Sequence, residues 1–207
     1  MQLPSSASAQ RNKEPILSIL KLYLLAKGTV LETASGTGEH INFFSEKFKT
    51  VHWQPSDKLD RNFWAIEKRT EQQNNVASPI TIDLTSKNPT DLFLKYNAII
   101  NINMIHISPW EATVGLFSLA KNILRKEGFI FTYGPYRVNG KHTSEGNENF
   151  DKYLRTTNST WGVRSIEKVA TLSKRFGFRL HRIHDMPMNN SVLIFYFNNF
   201  QMTQQKF

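Results

Sequence analysis

Thr29-Val30-Leu31-Glu32-Thr33-Ala34-Ser35-Gly36-Thr37-Gly38 is the stretch on which the fold of this 207-residue chain turns. Thr29–Ala34 reads as a short β-rich strand, and Glu39–Phe48 resumes helical spacing through Ile41, Phe44 and Phe48. Between them lie small residues with glycines at alternate positions. These let the backbone turn sharply and let a ligand approach the peptide groups at the start of the next helix. Against the dinucleotide fingerprint GxGxxG, Ile41 stands where the third glycine belongs, so a nicotinamide or flavin cofactor is the lesser reading.

Working outward, the strand-turn-helix unit recurs. Pro15 at a first helical position, with Ile16, Leu17, Ile19, Leu20, Tyr23 and Leu24, predicts an amphipathic helix stopped at Lys27–Gly28. Downstream, the pattern predicts a strand at Val51–Gln54, a helix at Arg61–Gln73 and a strand at Ile80–Asp83. A short helical or irregular piece to Leu94 is followed by a strand at Ala98–Asn103, a helix at Trp110–Leu124 and a strand at Phe129–Tyr133. Such alternation specifies a mainly parallel sheet with helices on both faces. The polar segment GPYRVNGKHTSEGNEN sustains neither period and reads as a loop over a site. Helices at Phe150–Arg155 and Ser165–Phe176 follow, and then Arg179–His184 and Val192–Phe197, joined closely enough by DMPMNN to pair antiparallel. The expectation is an α/β, Rossmann-like sheet of seven strands ending in an antiparallel hairpin. It forms one domain over 11–207, preceded by a flexible polar segment at 1–10.

Forty per cent hydrophobic and twelve per cent aromatic residues, 15 of them Phe, place the chain among ordinary globular proteins. With no cysteine there are no disulfides, thiolate zinc sites or thiolate nucleophiles. The first ten residues lack a secretory apolar run, and the longest apolar stretch, Ile16–Ala26, is short of the roughly 20 residues a span needs, so a cytoplasmic protein without membrane contact is expected. The net charge of +9 raises a nucleic-acid partner as an alternative, but Lys121–Lys126, Arg137–Lys141 and Lys168–Arg182 read equally as solvated faces.

Glu32–Gly38 resembles the first motif of class I S-adenosylmethionine-dependent methyltransferases. Ile82-Asp83 resembles that family's acid toward the adenine amino group, and Tyr96–His106 its fourth-strand motif. Over most of the chain, RNKEPIL, VLETASGTGEH, WQPSD, INMIHISPW, YGPY, FDKYLR, WGVR and MNNSVL are similar in order to segments of a methyltransferase-like family that includes methyltransferase-like protein 26. The resemblance implies the class I methyltransferase fold, S-adenosylmethionine as cofactor and S-adenosylhomocysteine as product. It also implies methyl transfer to an oxygen or nitrogen of an acceptor, most simply a small molecule. The alternative is a non-catalytic cofactor-, nucleic-acid- or protein-binding scaffold. The absence of cysteine excludes covalent cytosine-C5 transfer. No carboxylates end the fourth strand as in metal-dependent catechol-type enzymes, so no metal is expected. The oligomeric state is left open.

On this resemblance the cofactor residues are Glu32, Ala34, Ser35, Gly36 and Gly38 at the turn, Asp83 and Leu84, and Asn103 and Met104. The second strand ends Gln54-Pro55-Ser56-Asp57, and either Gln54 or Asp57 takes the place of the acid that holds the ribose hydroxyls; a carboxylate, with its two acceptors, favours Asp57. His106, at the carboxyl end of the fourth strand, is the candidate base, against a reading as a helix cap or carbonyl partner. Tyr133 and Tyr136 offer aromatic walls and hydroxyls. Arg11 and Asn12 ahead of the first helix are candidate acceptor contacts, or fold over the cofactor carboxylate, against a reading as a solvated helix start; His142, Asn147, Asp151 and Arg155 in and after the polar segment, and Asn190 in the last turn, are candidate acceptor contacts. Caps and turns would explain several of these equally well.

Overall fold

The computed structural model describes residues 3–86 and 94–200. In chain order the helices are α1 (Ala7–Tyr23), α2 (Glu39–Lys47), α3 (Phe63–Thr70), α4 (Trp110–Ile123), α5 (Glu145–Thr157) and α6 (Ile166–Arg175). The strands are β1 (Gly28–Thr33), β2 (Val51–Asp57), β3 (Ile80–Thr81), β4 (Tyr96–Ile102), β5 (Leu124–Val138), β6 (Lys141–His142), β7 (Arg164–Ser165), β8 (Phe178–Met186) and β9 (Asn190–Phe197). Most of the piece expected before Leu94 lies outside the described residues.

The main sheet runs β3-β2-β1-β4-β5-β9-β8, and the two-residue β6 and β7 pair with the outer end of β5. Seven strands therefore form the sheet as expected, with two short additions. All pairings from β3 to β5 are parallel, while β9 is antiparallel to both β5 and β8. The order reverses between β1 and β4, which opens a crevice beyond their carboxyl ends where open α/β sheets bind ligands.

Two cores flank the sheet because strand side chains alternate. On one face Ile16, Leu20, Ile41, Phe44 and Ile66 from α1, α2 and α3 pack on Val30, Ala98 and Ile100. On the other, Leu116, Phe117, Val169 and Leu172 from α4 and α6 pack on Leu31, Ile99 and Ile130. The largely apolar run of β4, interrupted only by Asn97 and Asn101, is what burial on both faces demands.

Several boundaries differ from expectation: the helix expected at Phe150–Arg155 runs over Glu145–Thr157, taking in the end of the supposed loop, and the strand expected at Val51–Gln54 continues to Asp57. The first helix begins at Ala7, with Pro15 in its interior. Ser6 caps it, accepting from the Ala9 amide, and Glu39 holds the segment by accepting from Ser5 Oγ, Ser6 N and Gln10 Nε2. Residues 3–10 are thus tied to the start of α2 by partners that composition does not reveal. Strand β5 continues to Val138 because the supposed loop pairs with β9 through Gly134 and Pro135. The helix expected at Arg61–Gln73 shortens to Phe63–Thr70 after a 3-10 turn at Asp60–Asn62.

Candidate functional site

The turn after β1 is built from unusual backbone. Ala34, Gly36 and Gly38 all have positive φ (56°, 56° and 82°), costly for an alanine. Gly36 faces open space, with nothing within 4 Å of where a Cβ would begin, whereas a Cβ on Gly38 would meet the Ile66 backbone at 2.9 Å. The Gly36 amide donates to Asp57 Oδ2 at 2.8 Å, and the amide of Lys58 donates to the other oxygen of that carboxylate. Asp57 thus closes the end of β2 onto the turn. Gln54 is turned elsewhere, its amide donating to the carbonyls of Pro55 and Ser78.

Beneath the turn Glu32 is buried, and its Oε2 has no partner among the described residues. Burial pushes its carboxyl up to about 8, against a hydrogen bond with Ser35 and with a small contribution from Asp57, so it holds its proton at neutral pH. Ser35 Oγ and Ser56 Oγ both donate to the Glu32 carbonyl. Past β3, burial works to raise Asp83, but hydrogen bonds from Thr85 and Lys58 outweigh it and hold the carboxyl below its ordinary value. Leu84 and Met104 are buried in the α4-side core.

Beyond the strand ends lies a cavity of about 640 Å³, within the range of small-molecule sites. Its lining brings together Arg11, Asn12, Asn103, His106, Tyr133, Asn147 and Asn190, all expected from the sequence at scattered positions. Asn103 holds a left-handed conformation (φ 64°), and its amide donates to the Tyr133 carbonyl. The Tyr133 hydroxyl accepts from Asn190 Nδ2 at 2.9 Å. Burial raises this phenol, while Asn190, Asn12 and Arg11 oppose it, so it stays protonated at neutral pH. Asn12 Oδ1 lies 2.7 Å from His40 Nε2, which burial pushes down to about 4; the neutral ring is therefore the donor in this pair. Asn147 reaches across to the Asn189 carbonyl, joining α5 to the β8–β9 turn.

His106 sits edge-on to Phe150 and against Gly134, where a Cβ would meet its Nδ1 at 2.9 Å. Burial, helped by Arg164, pushes it down to about 3, so the imidazole is neutral across the physiological range.

Residues 3–196 match the profile of a family described as a protein of unknown function, DUF938. The chain belongs to this family. Among solved structures it is similar to an O-methyltransferase family protein from Burkholderia thailandensis, at TM-score 0.76 and 13% identity over 92% of this chain and 57% of that one. It is also similar to the mitomycin 7-O-methyltransferase MmcR, at 0.75 and 9% over 90% and 54%. The third is CalO1, a methyltransferase in calicheamicin biosynthesis with S-adenosylhomocysteine bound, at 0.70 and 14% over 91% and 54%. This DUF938 chain thus spans little more than half the length of each. At such identities the likeness gives the fold, a Rossmann-like methyltransferase fold.

Other expected residues of the DUF938 chain lie elsewhere. Tyr136 is buried in the opposite core, donating to Thr132 Oγ1. Because β5 runs through it, residues 133 and 136 point to opposite faces, and only Tyr133 reaches the cavity. His142, Asp151 and Arg155 form a separate cluster. Asp151 accepts from the Val163 amide and from Arg155 Nε, and lies 3.4 Å from His142 Nε2. That cluster fastens α5 to the 158–163 turn and does not line the cavity. The sequence reading missed Ser8 and Pro15 on α1, Phe150, and Pro187 and Met188 in the turn before β9, all lining the cavity. A proline inside a helix removes the donor to the carbonyl four residues back, here Arg11, and that break beside the site was the available signal. Met188 and Asn189 both have positive φ; asparagine suits that conformation, but nothing in DMPMNN announces it at Met188.

Proposed function

We propose that this protein transfers a methyl group from S-adenosylmethionine to an oxygen or nitrogen of a small molecule held in the cavity. The observation that carries the reading is the junction at the Gly36 turn, where an open, left-handed glycine is tied to a carboxylate at the end of the neighbouring strand, directly at the sheet's reversal point. Those residues fit the cofactor. Gly36 leaves space for it, Asp57 supplies a carboxylate where ribose hydroxyls would need acceptors, Asp83 does the same for the adenine amino group, and Glu32 keeps an orphaned buried oxygen. The named functions of MmcR and CalO1 and the motif resemblance to the methyltransferase-like family support the same reading. When bound, the cofactor would supply a methyl carbon already activated by its sulfonium. The chain's own contribution is to orient the acceptor and exclude water. Tyr133, Asn103, Asn190 and the neutral His106 present hydrogen-bonding groups at the cavity floor, and Phe150, Pro15 and Pro187 form its walls.

Calorimetric titration with S-adenosylmethionine and S-adenosylhomocysteine tests the proposal. The native protein is expected to bind both in the micromolar range. Asp57→Ala should lose roughly ten- to a hundredfold, the worth of a charge-assisted hydrogen bond or two, and Asp57→Asn less. Absence of binding by the native protein would refute it.

A further inference from the structure

The cavity is electrically one-sided. Among the described residues none of those lining it is Asp or Glu, His106 is neutral, and Arg11 is the single lining side chain with a full charge. Arg11 is exposed on α1, and among the described residues its guanidinium makes neither an ion pair nor a hydrogen bond. Other cations of the protein have carboxylate partners, Arg155 with Asp151 and Lys58 with Asp83. An arginine left without a partner at the wall of a mostly apolar pocket, among the neutral amides of Asn12, Asn147 and Asn190, is arranged to meet a carboxylate from outside the chain. The remaining walls, Phe150, Pro135, Pro187 and Met188, suit a flat ring or alicycle.

We infer that the acceptor is a small organic acid, aromatic or alicyclic, whose carboxylate pairs with Arg11 while its body lies on Phe150. This rests on the proposed function for the word acceptor; the preference for an acid rests on the cavity alone.

The test is binding of matched probes, 4-hydroxybenzoate with 4-hydroxybenzamide and cyclohexanecarboxylate with its amide. They are followed by ligand-observed NMR and calorimetry on the full chain, with and without S-adenosylhomocysteine. Each acid is expected to bind at least roughly tenfold more tightly than its amide. The preference should weaken with added salt, vanish in Arg11→Gln and persist in part in Arg11→Lys; an exposed side chain makes these variants safe to fold. Equal binding of acid and amide, or binding of neither, would overturn the inference. So would an Arg11→Gln variant that loses S-adenosylhomocysteine while keeping its preference for acids, since Arg11 would then be serving the cofactor's carboxylate. If the native protein ignores S-adenosylhomocysteine but prefers acids through Arg11, the cofactor reading falls and the acid site stands.

Discussion

Gly115→Ala should destabilise the protein even though alanine is the better helix former. In an exposed helix interior the exchange would gain about 1 kcal/mol. Gly115 lies within α4, and a Cβ built there would stand 1.8 Å from the Leu84 carbonyl oxygen and 2.8 Å from its carbon. Both are backbone atoms, so no rotamer change relieves the contact. Either α4 or the segment after β3 must move by more than an ångström in a core that also holds Leu116, Phe117 and Ala120. Overpacking of this kind costs about 1–3 kcal/mol, occasionally more, and against rigid backbone we expect a net loss of about 2 kcal/mol after the helix gain. For a domain of this size that lowers the melting temperature by about 4–8 °C, measurable by circular dichroism or calorimetry. Gly146→Ala is the control, because its Cβ would meet only Ser144 Oγ at 3.8 Å; it should be neutral or slightly stabilising. Since Leu84 follows Asp83, Gly115→Ala should also weaken S-adenosylhomocysteine binding. A Gly115→Ala protein as stable as the native one would refute the close-packing argument.

Two further outcomes follow from the site's anchoring and charge. Glu32 gives up its proton near 4.5 when unfolded but keeps it to about 8 when folded, so the folded state binds the extra proton and stability falls as pH rises through that window, by at most about 1.4 kcal/mol per unit. His40 and His106, pushed down to about 4 and about 3, act oppositely. Their contribution is complete above 6.5 and is lost as pH falls toward the folded values, so between pH 6.5 and 8 the Glu32 slope stands alone. Native melting temperature should decline across that interval and Glu32→Gln should flatten it; parallel curves would exclude a protonated Glu32. Glu39→Ala removes the acceptor of Ser5, Ser6 and Gln10, and hydrogen exchange should then rise over residues 5–12 while β4 and β5 stay protected. An unchanged pattern would show that the anchor is unnecessary.

The sheet was legible because alternation of short β runs with helical periods is a long-range pattern, and the run Tyr96–Ile102 carries its two-faced burial in its composition. The turn at Gly36 was legible for the same reason that it functions, since left-handed backbone selects small residues. What stayed hidden depended on pairing across distance. Tyr136 looked equivalent to Tyr133 only while β5 was taken to end between them. His142, Asp151 and Arg155 looked like acceptor contacts because nothing in their spacing shows that the Val163 amide closes on Asp151. The order at the N-terminus depends on Glu39, 33 residues from Ser6, and no local signal encodes it.

The state of His106 bears on how such a site could work. An imidazole whose folded value is about 3 is free to accept a hydrogen bond at neutral pH, yet it holds an abstracted proton weakly, and proton transfer is most effective when donor and acceptor are matched near the working pH. Arg164, whose guanidinium donates to the carbonyls of Ser108 and Thr160, adds to the effect of burial, so the fold spends a cation in keeping this histidine neutral. A neutral ring fixed by Phe150 and Gly134 is instead suited to hold an acceptor's hydrogen in one direction. Methyl transfer from a sulfonium tolerates that division of labour, because its barrier is lowered chiefly by alignment and dehydration. His106→Asn, which keeps a neutral hydrogen-bonding group, should accordingly preserve most of any turnover, whereas His106→Leu should not. Equal loss in both, with a bell-shaped pH profile centred near 7 in the native enzyme, would return His106 to the role of a base.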